Sequence, residues 1–587
     1  MRRAALLLLT VALWPGLARG GALVVGEPHW GFDGRVVPGR VNLLSVAVTN
    51  TGREPIYTVL RLHRGFHSGG RLGAPLERRC DLSPGSSRWV QFFPYVHGAQ
   101  DAWTLELADG TQIGLKGPTL GPPGRVFLRD PAEPLVAARL PVLPDNLFPP
   151  TVSATDGLHS VALDHDPQWE PARRQAFLDW LRRGGELHLL HDLRGRYPVF
   201  SDLLAPLNAP LDRYRVGAGL VVRHPLRRSE VTSDYLVKAG FAPPALREND
   251  EGQLHSPDGD LLSALTEASR PRHSWALIYL TVLAYVGAIG IYHFFYARKQ
   301  ADWRRTMALF GATVVACSLL LGFIGKRGQG EAAAVNSIAY ARHLGGDQFD
   351  VTQWQNVFVT SGALYTLSHA APLNIYSTCQ SEETVAGLIR NGKKGGFVVD
   401  IPLFSSRAFL HRGKLQGHRI ELTIREWESG ARLRRLVLEP GEGFPTEAPL
   451  IYAVYRNHVY RVGIKNGLLT ASANAAPLDR FLGLREIELR DPWSKAPAQW
   501  DDPAQFRSRT GFGALVRPII AHALGGTRQW ALQTTVTPDD RVQLFVVAKS
   551  PAGFRLEGRR LGERRGYTVY HLHLFEPETL DGPSPDS

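Results

Sequence analysis

The sequence predicts a multidomain α/β plus all-β chain. Its expected parts are an N-terminal β-sandwich, an α/β domain, a two-helix transmembrane hairpin and a C-terminal β-rich domain. Three observations carry this reading. Short alternating strands broken by turn residues fill the N-terminal region, a strand–helix–double-glycine–strand pattern follows, and two long uncharged apolar runs separate it from a second strand-rich stretch. The composition agrees: 587 residues with 44% hydrophobic and 21% charged residues describe a globular chain, not a disordered one or a coiled coil. A mean hydropathy of −0.14 excludes a polytopic transporter but leaves room for one or two spans. At roughly 150 residues per domain the length allows about three or four domains.

Residues 1–20 read as a secretory signal peptide. Arg2 and Arg3 precede an apolar stretch from Ala4 to Trp14, and Ala18-Arg19-Gly20 places small residues before a cleavage site after Gly20. Residues 21–125 alternate as short strands. Leu44, Val46 and Val48 face one way, Asn50-Thr51-Gly52 supplies a turn, and Trp89–Phe93 and Trp103–Leu107 follow with Ala108-Asp109-Gly110 as a further turn. This spacing predicts a sandwich. The aromatic side chains are expected in its core.

Residues 126–245 change to α/β grammar. Leu135–Leu140 and Ser160–Asp164 read as strands, Pro171 opens a helix with Ala176, Phe177, Trp180 and Leu181 on one face, and Gly184-Gly185 ends it. Glu186–His191 returns as a strand, which implies a right-handed crossover in a parallel sheet. Ligands of such sheets bind beyond the carboxyl ends of the strands. The candidate polar site is therefore Asp164, His165 and Asp166 after one strand, and His191, Asp192 and Arg194 after another. Those carboxylates and imidazoles could serve as acid–base groups or hold a divalent ion, although solvated loop ends are the simpler reading. His188 and His191 sit three apart on a strand and face opposite ways. Arg215-Val216-Gly217-Ala218-Gly219 leads into a strand and makes a poor phosphate cradle.

Residues 246–274 are expected as a linker with a short helix. The runs 275–296 and 307–324 contain no charged residue and are expected as transmembrane helices. At about 1.5 Å per residue the shorter spans about 27 Å, the thickness of a bilayer core. The connector 297–305 carries Arg298, Lys299, Arg304 and Arg305, and a short basic loop belongs on the cytoplasmic side. With an exported N-terminus, both large soluble parts then face the extracytoplasmic side of a bacterial inner (plasma) membrane. The spans hold no carboxylate, Lys or Arg, so an anchor is the simplest role. Residues 331–578 read as mostly β with a late helix around Gly513–Leu524, and 579–587 as a polar tail. His571 and His573 alternate on one strand face without a third local ligand for a metal.

The run FLDWLRRGGELHLLHD resembles the helix, double glycine and strand of class I glutamine amidotransferase-like domains, and VNLLSVAVTNTGREPI resembles early strands of bacterial Ig-like surface modules. The first resemblance covers about 100 residues. It implies a flavodoxin-like sheet of a kind found in bacterial membrane proteins of unknown role. Active members use a nucleophilic Cys after a core strand. Here His191-Asp192-Leu193-Arg194 stands at that point, and the three cysteines (Cys80, Cys317, Cys379) lie elsewhere. Cysteine catalysis is excluded in this domain, and the thiols are expected free.

The function expected from sequence is a non-enzymatic, membrane-anchored envelope protein that scaffolds or recruits other subunits. Its partners are the lipid bilayer and membrane or periplasmic proteins, with no nucleic acid and no cofactor. The alternatives are a hydrolase or a small-ligand sensor using the polar carboxyl edge. Of 67 basic residues 57 are Arg. Outside the connector they are dispersed and mark no nucleic-acid face.

Overall fold

A computed structural model of the chain describes residues 18–20, 23–66, 69–98, 100–132, 140–239, 257–269, 275–299, 302–329, 333–378, 383–445, 450–482, 513–524, 538, 540–558 and 561–577. Most of the expected signal peptide, most of the expected strand Leu135–Leu140, much of the 246–274 linker, Cys379 and the 579–587 tail lie outside them. The protein is sheet-rich and mixed α/β.

The first β region does not close on itself. A four-stranded antiparallel sheet holds Ala18–Gly20, Leu23–Trp30, Leu44–Asn50 and Ser87–Phe92. Facing it, strands Gln112–Leu115, Asp101–Glu106, Ile56–Phe66 and Arg71–Leu82 continue into Gly387–Arg390, Gly396–Ile401 and Ala363–Leu367. The junction is parallel, with Ile389 opposite Leu76 and Arg390 opposite Glu77. The expected boundary at residue 125 therefore does not isolate a module, because the late segment supplies three of seven strands. The shared apolar layer explains the junction. Leu62, Leu76, Trp103 and Val46 pack in one cluster with Ile389, Phe397, Val399 and Phe409. Trp30 and Trp103 lie against each other with ring centroids 5.4 Å apart, as a core pair.

The α/β part contains a six-stranded sheet in the order Val142–Pro144, Gly124–Arg129, Leu158–Leu163, Glu186–His191, Gly219–Arg227, Arg213–Val216. The first five are mutually parallel and the last pairs antiparallel. Helix Pro171–Arg182 has Pro at its first turn and buries Ala176, Phe177, Trp180 and Leu181. Gly184 stops it in a left-handed conformation (φ +122°) that a Cβ would strain. Gly219 lets the next strand approach: a Cβ there would lie 2.0 Å from the Leu181 carbonyl oxygen. Arg215–Gly219 is thus a hairpin seated against the helix end, with Ala218 N donating to Arg182 O at 2.9 Å.

The largest sheet has eleven strands, running from Ile375–Ser377 at one edge to Leu422–Ser429 at the other. It is antiparallel except where Ala334–Gly345 runs parallel to Gly562–Phe575. One face shares a core with the α/β part, since Ile338, Tyr340, Trp354 and Phe545 join Trp180, Leu187 and Phe177 in one cluster. The segment expected as a linker is, over Asp258–Ser269, a core helix. Its Leu261, Leu262 and Leu265 enter that cluster, and Asp258 accepts hydrogen bonds from Trp354 Nε1 at 2.5 Å and from Tyr95. A Leu-rich stripe at helical spacing seeks such burial, worth roughly 1.5–3 kcal/mol per side chain.

Two helices, Trp275–Lys299 and Trp303–Phe323, are long and apolar enough to cross a membrane and are almost uncovered by the rest of the protein. Leu280, Leu283, Phe294 and Leu319 are all exposed. The first contains a π-helical turn at Gly287–Tyr292, where two glycines loosen the backbone. The helices touch through His293, whose Nε2 lies 3.2 Å from Thr313 Oγ1 and whose ring meets Phe310. The expected loop 297–305 is shorter than its sequence suggests. Helix continues through Arg298 and Lys299, and Arg304 and Arg305 sit in the first turn of the second helix, with Asp302 Oδ1 accepting from Arg304 N. Long aliphatic stems let basic residues stay helical at such an end.

Candidate functional site

The six residues expected at the carboxyl edge divide into unconnected groups. Asp164 and His165 follow the strand Leu158–Leu163, and Asp145 comes up beside them after Val142–Pro144. His165 Nδ1 lies 3.1 Å from Asp164 Oδ1, and its Nε2 lies 3.3 Å from Asp145 Oδ2. Arg228 donates to Asp164 Oδ2 at 2.8 Å and stacks over Phe127. Burial alone would lower the His165 pKa, but the hydrogen bonds to Asp145 and Asp164 override it and raise it to about 9. The imidazole is therefore a cation at neutral pH and a poor general base. Asp166 accepts instead from Ser201 Oγ at 3.0 Å.

On the other strand, Asp192 caps a tight turn, accepting from the backbone N–H groups of Arg194 and Arg196 at 2.8 and 2.9 Å. Arg194 is exposed, and His191 packs its ring edge against Tyr197 with centroids 4.5 Å apart. No hydrogen bond, ion pair or ring contact joins His191 or Asp192 to the Asp164–His165 pair. None of the six lines either of the two cavities described below. Among the described residues no three His, Cys, Asp or Glu side chains are grouped to hold a metal ion.

The opposite face of the same sheet carries a chain of hydrogen bonds that sequence reasoning missed. His188 Nδ1 lies 2.8 Å from His224 Nε2, His224 Nδ1 bonds Tyr235 Oη, and His188 Nε2 lies 3.3 Å from Glu186 Oε1. A carboxylate can only accept, so His188 Nε2 carries the proton and Nδ1 accepts from His224. Burial lowers both imidazoles, His224 to about 4. The adjoining apolar cavity, lined by Phe127, Ala162, Leu190, Val231 and Leu236, measures about 30 Å³, space for about one water. The alternation of His188 and Leu190 was visible in the sequence, but His224 and Tyr235, which lie on other elements, were not.

The larger cavity, about 240 Å³, opens at the amino edge of the parallel sheet, where it meets the eleven-stranded sheet. Leu158, His159, Trp180 and Arg183 form one wall; Tyr340, Arg342, Arg541, Gln543, His571 and His573 form the other, with Arg40 and His522 beside them. Next to it lies a buried ion cluster. Asp350 accepts from Arg183 at 2.8 Å, from Arg412 at 3.1 Å, from Arg342 at 2.5 Å and from Ser153 Oγ at 2.9 Å. Asp156 accepts from Arg183 at 3.1 Å, from Arg342 at 2.9 Å and from Arg412. Burial would raise both carboxyls, but the surrounding guanidiniums dominate and hold them below the ordinary carboxylate range. The cluster ties the α/β part to the large sheet.

Fold and site together define a sheet-rich mixed α/β protein bearing a pair of membrane-length apolar helices. No protein-family model matches the chain, and no curated protein does. Solved structures similar to parts of it include a β-glucosidase from Erythrobacter marinus, at 17% identity over 16% of this chain and 15% of that one, with a TM-score of 0.12. A cycloisomaltooligosaccharide glucanotransferase from Paenibacillus sp. aligns at 8% identity over 77% of this chain and 98% of the other, with a TM-score of 0.15. A glycosyl hydrolase family 2 member from Bacteroides cellulosilyticus aligns at 9% identity over 94% and 79%, with a TM-score of 0.13. The chain thus spans 15% of the length of the first, and scores this low carry no argument about fold or activity.

Proposed function

We propose that the protein is a non-enzymatic, membrane-anchored envelope subunit whose folded body recruits or scaffolds membrane or periplasmic proteins. The observation that carries this reading is the uncovered helix pair: two apolar helices leave the body with almost none of their surface buried. Such an area is unfavourable in water and fits a bilayer anchor. Arg298, Lys299, Arg304 and Arg305 gather at the far end of the pair, which favours that end in the cytoplasm. Residues before and after the pair share one sheet, which supports an even number of crossings with both parts on one side. An inner membrane with the body outside the cytoplasm satisfies all of this.

The parallel strand order supports a reduced flavodoxin-like sheet: numbered along the chain, the parallel strands run 2-1-3-4-5. The amidotransferase-like resemblance is proposed on that ground, without its catalysis. At the point where the order reverses sits the Asp164–His165–Asp145 cluster, neutralised internally and by Arg228. That pairing favours a structural role over hydrolysis.

Two measurements test the proposal. A cytoplasm-active reporter at residue 300 is expected to be active, and a periplasm-active one there inactive; the reverse would overturn the orientation. Crosslinking in intact cells followed by purification is expected to capture the same membrane or periplasmic protein reproducibly. Recovery of the uncrosslinked chain alone would remove the scaffold role.

A further inference from the structure

We propose that the cavity at the amino edge of the parallel sheet binds a small hydroxylated oxyanion, a phosphate or carboxylate carried on a sugar-sized molecule. The charge inventory is the first argument. Arg40, Arg183, Arg342 and Arg412 surround two carboxylates, Asp156 and Asp350. A third carboxylate, Asp258, is engaged with Tyr95 and Trp354, and even with it these guanidiniums outnumber the carboxylates of the cluster among the described residues. Arg40 is the member with no carboxylate in direct contact among the described residues; Asp156 and Asp258 act on it only at longer range. Its guanidinium contacts the ring nitrogen and the carbonyl oxygen of His522, neither of them a charge, and no carboxylate among the described residues is within ion-pair reach. Burial and the neighbouring Arg342 and Arg412 lower its pKa despite Asp156. A buried cation without a direct carboxylate partner is unfavourable, and an oxyanion entering the cavity would offset it. Guanidinium forks suit phosphate and carboxylate geometry.

The rest of the wall suits hydroxyl groups. Gln543 Oε1 lies 3.0 Å from His571 Nε2, so that nitrogen carries the proton and His571 Nδ1 accepts from Tyr340 Oη at 2.8 Å. His571 is thereby locked neutral, and burial holds it well below the usual imidazole range. Tyr340 Oη, having donated its proton, retains lone pairs to accept from a ligand. His573 Nδ1 and Arg342 Nε are buried with no hydrogen-bond partner among the described residues. An unpartnered acceptor or donor at a polar cavity is costly unless something fills it. A volume of about 240 Å³ corresponds to roughly eight waters at about 30 Å³ each, the size of a hexose carrying one anionic group.

The test uses the full-length protein in detergent and calorimetric titration at low salt with inorganic phosphate, glucose 1-phosphate, glucuronate and neutral glucose. Saturable binding of one anion per chain is expected, with none for glucose. Binding of phosphate and glucose 1-phosphate but not glucuronate assigns the phosphate source; the converse assigns the carboxylate. R40Q and H573N are each expected to weaken binding tenfold or more. R40Q should leave the unliganded Tm unchanged or raised, since it removes a buried charge with no carboxylate in direct contact, and H573N provides the reading should R40Q fail to fold. Absence of saturable binding for all three anions would overturn the proposal, as would undiminished affinity in both variants.

Discussion

Replacing Asp350 with Asn tests whether the buried ion cluster holds the α/β part to the large sheet. Asp350 is fully buried and receives Arg183, Arg342, Arg412 and Ser153. Asn keeps the shape but removes the charge, leaving those three guanidiniums to Asp156 alone. Removing one partner of a buried pair typically costs about 3–5 kcal/mol, mostly because the remaining charges stay buried and unmatched. About 1 kcal/mol moves the Tm of a 150–250-residue unit by roughly 2–4 °C, so a fall of roughly 6–20 °C is expected. The acid limb follows the same logic. Both carboxyls titrate lower when folded than when unfolded, so their contribution is complete above about pH 4 and fades as pH falls below that. D350N should flatten that limb. The assay is thermal unfolding by tryptophan fluorescence between pH 3 and 7. R342Q combined with D350N should cost clearly less than the sum of the single changes, because it removes one repelling cation. A Tm change under about 2 °C, or strict additivity, would refute the reasoning.

Three further outcomes are expected. His165 titrates near 9 when folded against about 6.5 unfolded, so its contribution, on the order of 3 kcal/mol, is complete below about pH 6.5 and lost as pH rises through 9. H165Q should remove that alkaline loss from urea midpoints, and an unchanged pH profile would count against the pairing. In a C379S background in intact membranes, a membrane-impermeant maleimide should label neither Cys80, buried and with its thiol pushed up by burial, nor Cys317 on the apolar helix; labelling of Cys317 would contradict the anchor. G219A should destabilise by about 1–3 kcal/mol or more, because its methyl would meet Leu181 O and Gly185 O at 2.0 and 2.8 Å; unaltered thermal unfolding would contradict that close approach.

The α/β grammar was legible where the signal is local. The helix Pro171–Arg182 announces itself by Pro171, its apolar stripe and Gly184-Gly185, and the strand Glu186–His191 follows directly. The apolar helices were legible from unbroken hydrophobicity, with ends misjudged because basic residues continue the helix. The strand exchange was not legible, since alternation tells which face a residue takes but not which strand it joins. The same limit hid the cavity. His571 and His573 stood out, yet Tyr340, Gln543, His522 and Arg40 come from four other segments. Arg40 and Arg342 are also indistinguishable by type among 57 arginines. Precedent for parallel sheets points to the carboxyl edge, and the open polar space lies at the amino edge.

The parallel seam between Arg71–Leu82 and Gly387–Arg390 sets a timetable for biogenesis. The ribosome makes the second strand about 300 residues after the first, roughly 15–60 s later at ~5–20 residues per second, with both apolar helices emerging in between. Throughout that interval Arg71–Leu82 lacks its neighbour, and the apolar layer behind it lacks Phe397 and Val399. An unpaired strand edge of this kind invites association with other chains. Newborn protein should therefore depend on a holding chaperone until its last third arrives, and truncation within the late segment should endanger the earliest-made part of the chain first.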